Sequence, residues 1–192
     1  MKGMVKAACV VVLSAFCISA AYAQASKLSG LASTLAGLSG ACEAKAQAAK
    51  MASSTALYQN SLDSQLAIDR AQMDARVYGV GHGGRETTEY LADQLQNGQN
   101  KVEADRAKIA EKLTSDRRDV ESCVSDAETQ GKNRYSSFKA DHKRKSDISD
   151  AESIMTAWLT NLKEISVDTP QGSEATNAAW KTAKAHAEIS DL

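Results

Sequence analysis

The apolar positions of this chain recur at helical spacing almost from end to end. Leu28, Leu31, Leu35, Leu38 and Cys42 follow steps of three and four, the seam of a helix packed on another. Met51, Tyr58, Leu62, Leu66, Met73 and Val77 continue at sevens and fours. Then comes a glycine run, Gly79-Val80-Gly81-His82-Gly83-Gly84. Four glycines in six residues oppose a helix, since each costs about 1 kcal/mol relative to alanine. Beyond it, Leu91, Leu95, Val102, Ile109, Leu113, Val120 and Val124 repeat at fours and sevens among charged residues. A last stripe is Ile148, Met155, Trp158, Leu159, Leu162 and Ile165. No alternating strand pattern appears. Pro170 is the single proline, so nothing upstream forbids long helices.

The pattern predicts an all-α fold: an elongated antiparallel, coiled-coil-like helical hairpin over about residues 26–130, turning at 79–84, and a shorter C-terminal helical hairpin over about 133–190. The first helix is expected over about 27–78, its seam carried by the large residues just named, and the return arm from Arg85. Asn97-Gly98-Gln99-Asn100 reads as a kink, and Thr129-Gln130-Gly131-Lys132-Asn133 as a break or bend. Tyr135 and Phe138 fall opposite Leu31 and Leu28, which extends the hairpin past the cysteines. Asp168 to Gly172 ends the third helix, and Ser173 caps the fourth, which should bring Trp180 near Leu162. The two tryptophans are expected to hold this second hairpin together.

Residues 1–23 read as a cleaved secretory leader. Lys2 and Lys6 precede an apolar run over 7–20, and Ala21-Tyr22-Ala23 is a small-x-small cleavage signal. Removing it takes Cys9 and Cys17, leaving Cys42 and Cys123. An even pair in an exported chain implies one disulfide. The midpoint of those two cysteines, 82.5, lies inside the glycine run, so a hairpin turning there joins them and pairs residue x with 165 − x. The expected location is the periplasm, with release from the cell as the variant. Residues 24–192 would form a single helical domain.

The mature chain would hold 21 basic and 24 acidic residues, a net charge of −3, which is no footprint for nucleic acid. No later segment is apolar enough to remain in a membrane. Of its 169 residues only 35 are Val, Ile, Leu, Met, Phe, Tyr or Trp. So thin a core suits paired helices better than a globule with a deep pocket.

Candidate chemistry adds little. Gly79-x-Gly81-x-x-Gly84 spells the dinucleotide fingerprint, but that motif needs a strand before the glycines, and a helix precedes them here. The plainer reading is a reversal of residues that tolerate positive φ. His82 has no second ligand at metal spacing. Cys42 and Cys123 lack the close spacing of a redox dithiol. Lys139, His142, Lys143, Arg144 and Lys145 form a basic cluster diluted by Asp141, Asp147 and Asp150, as on a solvated face. No catalytic constellation, cofactor site or metal site is expected.

The candidate contact site is the tip: Tyr78, Val80, His82, Arg85 and Tyr90. Amphipathic tyrosines there suit a partner contact or simply close the hairpin. The functional expectation is a non-enzymatic subunit of an envelope complex, of the secretion or pilus accessory type, binding protein partners. The alternative is a holdase-like periplasmic chaperone, and a small metal-binding protein stands behind both. Whether the seam pairs within one chain or between two copies stays open.

Overall fold

The computed structural model describes residues 27–191. The leader expected over 1–23 lies outside them. Four helices occur among the described residues: α1 (Leu28–Gly79), α2 (Gly84–Asp141), α3 (Lys145–Lys163) and α4 (Glu174–Ser190). No strand element occurs among the described residues, only an isolated bridge between Pro170 and Gly172. The protein is an all-α helical hairpin in which α1 packs along α2, followed by a second pair, α3 on α4. Cys42 and Cys123 form the expected disulfide, with Cα atoms 5.6 Å apart.

The chain divides into two compact units: Gln47–Asp119, and the segments on either side of it, through Ala46 and from Val120. In the second of these, Leu28, Leu31, Leu35 and Cys42 of α1 are buried, as their spacing predicts. Phe138 of α2 joins that core, with Ile154, Trp158 and Leu162 of α3 and Trp180 of α4. The expected break at 129–133 is absent, because α2 runs through it as helix. Gly131 explains why. A Cβ there would run into the six-membered ring of Trp158 and stand 3.1 Å from Leu35 Cδ2. The glycine is a socket for an aromatic ring, and the ring's burial outweighs the helix propensity lost.

The last helices are closed by local polar contacts. Ser173 Oγ accepts from the Thr176 amide, so the predicted N-cap of α4 forms. Glu164 Oε2 accepts from the Ser173 amide and from Thr176 Oγ1, tying the end of α3 to the start of α4. These hydrogen bonds hold the Glu164 carboxyl below its ordinary value. Gly172, at φ 77°, is the one described residue with positive φ, and a side chain there would meet Asn161 Oδ1. α1 has no acidic residue in its first turn. Asp191, just past α4, supplies one: its Oδ2 accepts from the Ser29 amide at 2.8 Å. Burial raises the Asp191 carboxyl, but the hydrogen bonds from Ser29 and Leu28 and the charge of Lys27 bring it below the ordinary value.

In the unit 47–119, α2 is as its pattern predicts. Val102 is buried, and Leu91, Leu95, Ile109 and Leu113 are half-buried. α1 is not. The expected seam residues Met51, Tyr58, Leu62, Leu66, Met73 and Val77 are all exposed, between 46% and 76%. The inward face is instead Ala49, Ser53, Ala56, Asn60, Ser64, Ala67, Ala71, Ala75 and Tyr78, again at threes and fours but almost all small. Small residues let two helix backbones come close, and the interaxial distance follows the side chains at the contact. Gly98, expected to kink α2, is instead part of that approach: a Cβ on it would stand 3.3 Å from Ala67 Cβ. Asn60 fixes the register. Its Nδ2 donates to the Val102 carbonyl at 3.2 Å, and its Oδ1 accepts from Arg106 Nε at 3.1 Å. Gly98 and Ala67 sum to 165, the register implied by the cysteines.

Candidate functional site

The glycine run does reverse the chain, with residues 80–83 outside the helices. It does so without the positive φ expected of it, since none of its glycines adopts one. Gly79 is needed for space, because a Cβ there would press on the Thr87 side chain at 3.2 Å.

Aromatic rings close the turn. Tyr78 stacks on Tyr90 across the hairpin at 4.5 Å between centroids, and on its other face His82 stacks at 3.9 Å. His82 Nδ1 lies 2.8 Å from the Tyr78 carbonyl, so the protonated nitrogen is a second donor to an oxygen that also accepts from the Gly81 amide at 3.4 Å. The end of α2 repeats the device: His142 stacks on Phe138 at 3.8 Å with its Nδ1 2.8 Å from the Phe138 carbonyl. That recurrence gives His82 a structural duty as a helix-end cap. Among the described residues no group of three or more His, Cys, Asp or Glu side chains could hold a metal ion.

Of the five tip residues, Tyr78, His82 and Tyr90 are thus brought together in one three-ring stack. Val80 points outward, 90% exposed. Arg85 is exposed and pairs with Glu89 on its own helix at 3.0 Å. In the basic cluster Lys139 sits 5.3 Å over the Tyr135 ring, while Lys143, Arg144 and Lys145 are exposed.

The largest unpartnered apolar feature is one the sequence pattern placed inside: the outward face of α1. At 100° per residue Met51, Tyr58, Leu62, Leu66, Met73 and Val77 lie roughly opposite the alanine seam. They cover about 39 Å of helix at 1.5 Å per residue. Thr55, Gln59 and Asp69 lie among them on the same face, so the large residues form an interrupted stripe. Two features of the sequence pointed to it: a second three-four repeat of alanines, and Asn60 inside that repeat where a polar residue sets register. The surroundings carry no net charge. Residues 47–77 hold Lys50, Arg70 and Arg76 against Asp63, Asp69 and Asp74, a balance of zero. The facing part of α2 is far richer in charge.

A groove of about 300 Å³ beside Gly98 is lined by Ala67, Ile68, Leu95, Val102 and Arg106. Gly98, which has no side chain, is part of the lining, and Ser64 and Glu103 bring a hydroxyl and a carboxylate to it. Among the described residues no helix is long and apolar enough to cross a membrane. Comparison with family models, with curated proteins and with solved structures finds no match for this chain.

Proposed function

We propose that this chain is a non-enzymatic protein of the bacterial envelope, exported by its leader into the periplasm, that works by docking onto a protein partner as an interaction or assembly subunit. The observation that carries the reading is the outward apolar face of α1. Exposing six large residues in water forgoes roughly 1 kcal/mol or more of burial at each, a cost that docking would recover. The paired cysteines and the leader support an oxidising compartment.

Photo-crosslinking in cells tests it. A photoreactive residue replacing Leu66 should give a discrete adduct with another polypeptide. The same residue replacing Lys112, on the charged outer surface of α2, should give none. Equal labelling at both positions, or none at Leu66, contradicts the docking face.

The same exposed residues favour one second reading, a holdase that shields unfolded clients. The two separate in vitro: a holdase suppresses aggregation of a denatured client at equimolar ratio, and a dedicated docking subunit does not.

A further inference from the structure

We propose that the partner held on the outward face of α1 is a second copy of this chain, packed antiparallel on it about a two-fold axis at residue 64. This rests on the reading of that face as a docking surface, and commits it to one occupant.

The first observation is the symmetry of the stripe. An antiparallel pair centred at residue 64 sets x beside 128 − x. Leu62 then meets Leu66 of the other copy, and Met51 meets Val77, each contact occurring twice. Tyr58 comes level with Arg70, a pairing that suits a cation over an aromatic face. Met73 comes level with the methyl-bearing Thr55. A two-fold interface must be self-complementary in this sense, the same patch serving both sides. All eight of these residues are exposed and lie within the single unit 47–119, so no rearrangement of that unit is needed.

Charge is the second observation. Two copies brought together repel through whatever net charge their facing segments carry. Residues 47–77 carry none, with three basic and three acidic side chains.

Area is the third. The exposed fractions of the six large residues amount to roughly 600 Å² per copy, or about 1,200 Å² for both, at the lower edge of specific interfaces. A surface at that edge suits a reversible dimer, one that dissociates on dilution.

The test uses sedimentation of the disulfide-bonded protein, purified from its native host, over a wide concentration range. Wild type should pass from monomer to dimer as concentration rises. Leu62→Glu/Leu66→Glu should weaken the dimer by about 30-fold or more, because it buries like charges at the centre. Circular dichroism of that variant should match wild type, since both positions are solvent-facing. Leu62→Glu/Leu66→Lys decides the direction of pairing. In the antiparallel pair each glutamate meets the other copy's lysine, so the dimer should survive within about tenfold of wild type. In a parallel pair glutamate meets glutamate and it should fail.

A wild type that stays monomeric throughout overturns the proposal. So does a dimer indifferent to Leu62→Glu/Leu66→Glu, or a Leu62→Glu/Leu66→Lys protein that dissociates like the double glutamate. A monomeric wild type that still gives a single adduct with a different protein at Leu66 in cells would overturn self-pairing while supporting the docking face. Absence of any adduct would remove both.

Discussion

Gly131 and Gly37 look alike as letters in a helical pattern, and their surroundings make them opposites. Gly131 receives the Trp158 ring, while a Cβ on Gly37 or Gly40 would meet nothing within 4 Å. Gly131→Ala should therefore lower stability by about 2 kcal/mol, through overpacking against a rigid ring. Gly37→Ala and Gly40→Ala should each raise it by up to about 1 kcal/mol, through helix propensity and a less flexible unfolded chain. Denaturant titration of the three variants checks the signs. The caps belong to the same scale. Asp191→Ala removes the acceptor for the Ser29 amide and should cost about 1 kcal/mol. Ser173 was legible in the sequence, because an N-cap is read from its neighbours. Asp191 was not, because its partner lies 162 residues away. Gly131 was misread for the same reason: the residue that needs the space is on another helix.

The two long helices differ in how openly their sequences declare their inner faces. α2 buries Val102 and Val120 of its heptad-like stripe and half-buries Leu91, Leu95, Ile109 and Leu113, and any period count finds them. α1 from Gln47 onward places alanine, serine and Asn60 inward and its large residues outward. Period counting weighs residues by hydrophobicity, so it selected the outer face. The inner one forms because small side chains let α2 approach and because Asn60 satisfies both of its polar ends across the contact. A pair of substitutions exposes the inversion. Leu62→Ala should change stability by less than about 0.5 kcal/mol, as at other solvent-facing positions. Ala71→Leu should destabilise by about 1–3 kcal/mol by wedging the helices apart. A seam built from the large residues would reverse that order. The junction of α3 and α4 carries a titration. The Glu164 carboxyl is lowered from 4.5 by its hydrogen bonds from Ser173 and Thr176, so its contribution is present above that value and is lost as pH falls through the folded-state value. Melting temperature followed below pH 5 should therefore fall less steeply in Glu164→Gln than in wild type.

At the scale of the molecule, the disulfide and the turn were written in the sequence together. Two cysteines placed evenly about a glycine run define one hairpin register, and Gly98 against Ala67 meets it. The bridge joins residues 81 apart, and the chain-entropy model assigns such a closure about 4 kcal/mol. Cys42→Ala/Cys123→Ala should lose a large part of that, read as a lower denaturation midpoint under conditions where wild type stays oxidised. The tip was legible as a place but not as an arrangement: nothing in the residue order announces that Tyr90, Tyr78 and His82 stack face to face. The exposed stripe of α1 was named by its residues and assigned to the wrong side, since a face is called outer only once its helix has a partner.

Methionine footprinting decides most directly whether α1 turns its large side chains to solvent. Three methionines, Met51, Met73 and Met155, fall among the described residues, the first two exposed and Met155 buried in α3. In dilute Leu62→Glu/Leu66→Glu protein, which keeps copies apart, mild peroxide should oxidise Met51 and Met73 at the rate of free methionine and Met155 many-fold more slowly. Protection of Met51 and Met73 to the level of Met155 would place the large residues between the helices and contradict the account.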